Sequence, residues 1–215
     1  MLNLITSYYH SPNDERQQEL NQCLINNAKN SHIKTIYLLN AQIYDLYFVD
    51  QEHIGKIVQL VVNPENKDRL QYDCAIQFAN NFLYGQKCIL SNSDIYFDDT
   101  LQILNYIPFD NLAFALSKYE NGILAERLID SQDSWIFQSP LRLDMSLLQF
   151  KFGVPGCDNV FADILLKSGY QLHNPCKSIV SNHLHRSNYR TYTEEDRIKG
   201  EYTGIVPCEI IINHS

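Results

Sequence analysis

No glycine-rich phosphate loop occurs in this chain. Neither G-x-G-x-x-G nor G-x-x-x-x-G-K-[ST] is present. That argues against a dinucleotide oxidoreductase and a P-loop enzyme, which both cradle phosphate on such a loop. The six cysteines at 23, 74, 88, 157, 176 and 208 form no CxxC pair and no zinc-type spacing. Several sit in apolar runs, as reduced, buried cysteines do. No run approaches the ~20 apolar residues of a membrane span. The apolar stretch Met1–Tyr9 is too short for a secretory leader and lacks a basic lead. Cations are scarce as well: 17 Lys and Arg face 25 Asp and Glu, a net charge of −8. A general nucleic-acid binder needs a basic field. The expectation is a cytoplasmic protein with no nucleic-acid partner and no transmembrane segment.

What is present has an ordinary globular balance, and 215 residues suit one domain. Leu2–Ser7 reads as a first strand, followed by the loop TSYYHSPND. Ser11 and Pro12 form an N-cap and N1 pair for a helix with a stripe of Leu20, Leu24 and Ile25. Strands are predicted at Lys34–Leu39 and Ile57–Val62, with a turn at Asn63–Asn66 and a helix at Asp68–Leu83. The apolar positions of that helix are Leu70, Cys74, Ile76, Phe78, Ala79 and Phe82. Cys88–Leu90 follows as a buried parallel strand, with Asp98 or Asp99 capping a helix at Thr100–Asn105. This alternation predicts a Rossmann-like parallel sheet. Later strands are expected at Asn111–Tyr119, within Ser131–Pro140, near Tyr170–Leu172 and Ser178–Ser181, and at Gly204–Asn213. A helix is expected at Val160–Ser168, with Gly169 just past its end.

The chemistry concentrates where the central strand stops. Asn92 and Asp94 stand two apart at its carboxyl end, where open α/β sheets bind ligands. On extended chain both side chains face one way and can converge on a divalent cation. An Asx turn there is the alternative. His183 and His185 are also two apart, so one of them could add an imidazole to a metal on Asp94, or both could be ordinary hydrogen-bonded histidines. Lys177, Arg186 and Arg190 lie close by in sequence, a local basic density that suits a diphosphate or a solvated loop. Asp158 opens a helix and reads as an N-cap, as a carboxylate acting on an acceptor hydroxyl, or as both. Asp133 beside Trp135 is either a sugar contact or next to a core tryptophan. Fourteen tyrosines fit sugar binding without establishing it.

The ordered set ITSYY, DERQQEL, RLQY, SNSDIYFDDTL, SQDSWIF, PGCDN and HLHRSNYRTY, spread over residues 2–192, resembles the small GT-A-fold glycosyltransferases. These include the transferase domains of viral and bacterial glycan-assembling proteins. The resemblance implies a single domain over 1–215, with a mostly parallel Rossmann-type sheet flanked by helices. It implies a nucleotide-binding half at 1–100 and a smaller acceptor-binding half at 101–215. The implied activity is hexosyl or deoxyhexosyl transfer from a nucleoside-diphosphate sugar to a hydroxyl of a glycan or glycoconjugate, with Mn²⁺ or Mg²⁺. The family's D-x-D motif falls on Asn92-Ser93-Asp94, with Asn in place of the first acid. Asp94 and a late histidine, His185 in preference to His183, are the implied metal ligands. Thr6, Ser7, Tyr8, Arg69, Asn92, Ser93 and Arg190 are the implied nucleotide-sugar contacts. Asp158, and next Asp133, are the implied catalytic or sugar-contacting acids. A nucleotidyltransferase would carry a glycine-rich basic loop near its N-terminus, which TSYYHSPNDER lacks. A binding module that has lost activity is the other rival, kept open by Asn92.

Overall fold

A computed structural model describes residues 1–62, 69–126, 129 and 131–211. Its centre is a seven-stranded sheet in the order β10-β6-β9-β4-β1-β2-β3. The strands are β1 (Leu2–Thr6), β2 (Ile33–Asn40), β3 (Ile57–Val61), β4 (Lys87–Ser91), β6 (Leu112–Leu116), β9 (Ser134–Gln138) and β10 (Gln171–His173). Within it, β4, β1, β2 and β3 are mutually parallel, and β6 is parallel to β10. β9 runs antiparallel to both neighbours, β4 and β6. This is the mostly parallel α/β sheet that the alternating apolar segments predict.

Both faces of the sheet are covered. Successive strand side chains point to opposite faces, so Leu4, Ile36, Leu38, Ile89 and Ile136 pack on one side with Leu20 and Leu24. Ile5, Leu39, Leu90, Trp135 and Phe137 pack on the other with Ile76 and Phe161. Leu20 and Leu24 belong to helix α1 (Asp14–Lys29), Ile76 to α3 (Tyr72–Phe82) and Phe161 to α4 (Cys157–Lys167). Each such buried side chain contributes about 1.5–3 kcal/mol. Trp135, edge-on to Phe161 with centroids 4.7 Å apart, is therefore core and not a sugar platform.

Several boundaries depart from expectation for local reasons. α1 is capped by Asn13, whose side chain accepts from the N–H of Arg16 at 2.8 Å, because the Ser11 hydroxyl is already accepting from the N–H of Asn13. Ser11 and Pro12 are therefore outside the helix. α3 starts at Tyr72 because Leu70 and Tyr72 make backbone bonds to Phe152 and Phe150. Leu83, not the exposed Phe82, closes its core face. Asp68 and the turn predicted at Asn63–Asn66 lie outside the described residues. Asp98 caps a 3₁₀ segment, Asp99–Tyr106, by accepting from Thr100 N–H. α4 begins at Cys157, and its cap is Gly156 at φ +81. Asp158 thus sits inside the first turn and is not the N-cap.

A second, four-stranded sheet runs β5-β11-β7-β8: β5 (Ile95–Phe97), β11 (Ser181–His183), β7 (Tyr119–Glu120) and β8 (Ile123–Leu124). The segment predicted as one strand at Asn111–Tyr119 is split between β6 and β7, and the strand near Ser178–Ser181 lies later, in β11. The outer edge of β5 is closed by α1. Asn27 donates to Ile95 O and accepts from Phe97 N–H, while Asn30 donates to Phe97 O. No strand forms at 204–211. That segment makes one bridge, Pro207 to Asn174, and Pro207 has no N–H to extend a ladder.

Candidate active site

β4 delivers Asn92, Ser93 and Asp94 to the carboxyl end of the sheet, and β11 pairs antiparallel with β5 so that His183 lies opposite Ile95. Residues 89 apart in sequence thereby meet. Asp94 Oδ2 lies 3.2 Å from His183 Nε2 and 3.5 Å from His185 Nδ1. Leu184, between the two histidines, donates its N–H to Asp94 O at 3.0 Å. One carboxylate oxygen and one nitrogen from each imidazole gather within 4.8 Å. Asp94 Oδ1 is buried with no hydrogen-bond partner. Burial alone would raise the Asp94 carboxyl, but His183, His185 and Arg16 outweigh it and hold it well below the usual carboxylate range. Burial likewise opposes the His183 imidazolium, and the charge of Asp94 overcomes it, raising the His183 pKa.

Two residues of this centre fall within DERQQEL but are given no role by the sequence alone. Arg16 donates from Nη2 to Asp94 Oδ2 at 2.6 Å and from Nη1 to Glu19 Oε2 and Leu184 O, both at 3.1 Å. Glu19 then accepts from the N–H of Arg186 and from the N–H and hydroxyl of Ser187. Arg16 and Glu19 are 5% and 7% exposed, and charges so buried are almost always paired. The available signal was their i,i+3 spacing on the same stretch of helix as Leu20, Cys23 and Leu24.

Asn92 donates its amide to Asp133 Oδ1 at 2.8 Å, and its N–H bonds Asp133 O. The other Asp133 oxygen pairs with Lys118 Nζ at 3.1 Å, and Lys118 lies 3.6 Å from Glu120 Oε1. Both carboxylate oxygens of Asp133 are therefore engaged in holding neighbours. Asp158 differs. Its Oδ2 accepts from the N–H of Gln132, and burial followed by the charge of Asp133 pushes its pKa up to about 6. A carboxylate that titrates so close to neutrality suits proton transfer.

These groups line one cleft of about 1470 Å³. Its rim beyond β1 carries Ser7 and Tyr8, where Tyr8, His10 and Tyr44 form an aromatic cluster with centroids 4.8–5.9 Å apart. Tyr8 N–H donates to Asn40 Oδ1 at 2.8 Å. The opposite rim carries Arg69 and Arg190, both over the ring of Tyr192 at 5.2 and 5.7 Å. Arg69 also donates to Gly153 O at 3.3 Å and Thr191 Oγ1 at 2.8 Å. Ser93, Asn92, Asp133 and Asp158 line the floor. Thr6 does not reach the cleft. It faces a small inner cavity of about 10 Å³ beside Leu20 and Asn27, which Ser7 and Tyr8 also line. Arg186 and Lys177 are also outside the lining, so Arg190 alone represents that basic cluster in the cleft.

A divalent cation fits this donor set. One carboxylate and two imidazoles suit Mn²⁺ better than Mg²⁺, which prefers an all-oxygen shell. The unpartnered Asp94 Oδ1 is the buried atom such an ion would satisfy. Among the described residues no helix is long and apolar enough to cross a membrane.

No protein-family profile matches the sequence, and no curated protein matches it. Solved structures do. The chain is similar to the mannosyltransferase PcManGT from Pyrobaculum calidifontis, in complex with GDP-Man and Mn²⁺, at 13% identity and a TM-score of 0.54, covering 85% of this chain and 56% of that one. It is also similar to S. aureus TarS 1–349 in complex with UDP-GlcNAc, at 13% identity and a TM-score of 0.55, covering 86% of this chain and 58% of that one. The chain thus spans less than two thirds of either structure. What it shares with these two structures is the fold, a GT-A-like, mostly parallel α/β sheet.

Proposed function

We propose that the protein is a GT-A-type glycosyltransferase that moves a sugar from a nucleoside diphosphate to a hydroxyl of a glycan or glycoconjugate. The observation that carries this reading is the convergence of Asp94, His183 and His185 at the carboxyl end of the central strand, on the floor of a cleft that also holds Asp158. Residues 1–100 form most of the donor-binding half, completed by Asp133, His183, His185 and Arg190, and the remainder of 101–215 serves the acceptor side. Asp94 and the two histidines would hold Mn²⁺, with Mg²⁺ the weaker fit. That ion would supply positive charge to the departing diphosphate. The rest falls to side chains. Ser7 and Tyr8 contact the nucleoside, with the buried Tyr8 ring backing His10 and Tyr44 on the cleft surface. Arg69 and Arg190 stabilise charge growing on the leaving group. Asp133 fixes Asn92, whose amide orients the donor beside Ser93. Asp158 accepts the proton of the attacking hydroxyl, and its raised pKa makes it a stronger base than an ordinary aspartate.

The neighbours' donors, GDP-Man and UDP-GlcNAc, make hexosyl nucleotides the first panel to try. Thermal stabilisation and nucleotide release are measured for each donor with Mn²⁺, Mg²⁺ or EDTA. Stabilisation by one nucleoside diphosphate that EDTA removes, with slow release of that nucleotide from its sugar, is the expected result. Stabilisation without any release would leave a binding module. No response to any donor would overturn the reading.

A further inference from the structure

The hairpin of β7 and β8 takes no part in the donor-binding scheme above, yet it sends one carboxylate to the metal centre. Glu120, the second residue of β7, has Oε1 3.1 Å from His183 Nδ1. The other ring nitrogen, Nε2, is the one that faces Asp94 at 3.2 Å. An imidazole can bind a metal through Nε2 only if that nitrogen keeps its lone pair, which requires the ring proton on Nδ1. A carboxylate accepting from Nδ1–H fixes that tautomer, fixes the ring plane, and makes Nε2 a better donor. Lys118, 3.6 Å from the same Glu120 oxygen, offsets part of the carboxylate charge and keeps it in place. The pairing of β7 with β11, Glu120 opposite His183, sets both residues in register.

We infer that Glu120 is the positioning residue of the metal centre: it holds His183 in the Nδ1–H tautomer and aims Nε2 at the ion. This rests on the metal-site reading above and adds to it a residue that touches neither ion nor substrate. Loss of such an outer carboxylate weakens metal binding by 10–100-fold in general. Glu120 is 52% exposed, so solvent competes with it, and the lower end, about tenfold, is expected.

The test counts free Mn²⁺ by electron paramagnetic resonance during titration of the full chain, wild type against Glu120→Ala, Glu120→Gln and Glu126→Ala. Glu126 lies on the same cleft but is not part of this contact. Positioning predicts about a tenfold weaker Kd for Glu120→Ala, at an unchanged melting temperature of the metal-free protein. It predicts a Kd within about threefold of wild type for Glu120→Gln, whose side-chain carbonyl still accepts from Nδ1–H. Glu126→Ala should bind as wild type does. Equal losses in Glu120→Gln and Glu120→Ala would mean that only charge matters, and would overturn the inference while leaving the metal centre standing. So would wild-type affinity in Glu120→Ala. Absence of Mn²⁺ binding in the wild type is a different failure, since it removes the metal centre itself and Glu120's role with it.

Discussion

On the side of β1, β2 and β4 the cleft is edged by strand ends held in register by backbone ladders, with Leu4 lying opposite both Ile36 and Ile89. Across from it, residues 184–211 contain no strand and only a short 3₁₀ turn at Glu194–Asp196. That wall is held by scattered contacts, single backbone bonds such as Ile198 N–H to Pro155 O and Cys208 N–H to Asn174 O together with a few side chains. Glu19 grips Arg186 and Ser187, Arg69 grips Thr191, and Asn174 grips Ser117 and Ile205 O. A ladder spreads its stability over many equivalent bonds, so one substitution leaves it standing. A wall held by a few polar contacts loses its geometry when one fails, because each buried group left unpaired costs ~1–3 kcal/mol.

The largest break is expected where the two walls meet, at Asp94. Asp94→Asn removes the carboxylate of the candidate Asp94, His183 and His185 metal site, so Mn²⁺-dependent stabilisation by nucleotide should vanish in a thermal shift. It also takes from the Arg16 guanidinium one of its two charged partners. Breaking a buried pair in this way costs roughly 3–5 kcal/mol, with the lower end expected because Glu19 remains, and urea unfolding reads it. A full Mn²⁺ response in this variant would separate the cluster from the metal.

Asp158 comes next. Its carboxyl has a pKa of about 6 in the folded protein against 3.8 as the ordinary value. Between those values the folded state holds the extra proton, so stability should fall as pH rises through the window. Turnover needs the carboxylate and should climb over the same range. Asp158→Asn should remove both trends, cutting kcat by about 10²–10⁴ without lowering the melting temperature at pH 8. If activity per folded molecule survives, Asp158 has no role in proton transfer.

Glu19→Gln tests the strap alone. It keeps the side-chain shape but weakens the charge-assisted bonds to Arg16, Arg186 and Ser187, at a cost of about 1–3 kcal/mol. Faster proteolysis within 184–192, with the core of the sheet still protected from hydrogen exchange, is the expected pattern. Uniform loss of protection would mean that the walls are not independent. The smallest effect is reserved for Gly153, at φ +63, where an added Cβ would lie 2.8 Å from Arg69 Nη1. Gly153→Ala should cost about 1 kcal/mol and raise donor KM a few-fold by displacing Arg69, while kcat stays within twofold.

The same contrast explains what could be read from residues alone. The ladder wall announces itself: apolar runs bounded by polar turns mark β1 to β4, and the position of Asn92-Ser93-Asp94 follows from where one run ends. The other wall is illegible by periodicity. It has no strand, the strands of the small sheet beside it are only two or three residues long, too short for any alternation to register, and β9 inserts between β4 and β6 without a signature of its direction. The histidines were identifiable as a pair, yet the preference for His185 came from the basic residues that follow it, whereas His183 lies closer to Asp94. Arg16 and Glu19, within DERQQEL, carry no legible role because helix charges at i,i+3 normally signal a solvated face. Here the helix turns that face toward Asp94 and residues 184–187. Thr6, buried at the end of β1, lines the inner cavity and not the cleft.

Asn27 and Asn30 on α1 have a consequence beyond packing. The sheet that carries His183 ends at β5, and a bare edge strand exposes a row of donors and acceptors on which another chain can grow. By pairing the N–H of Phe97 and the carbonyls of Ile95 and Phe97, the two amides occupy that row from within. The side of the small sheet nearest the metal cluster is thereby closed to strand addition. Self-association by edge pairing would have to begin at β8, β3 or β10, none of which carries His183.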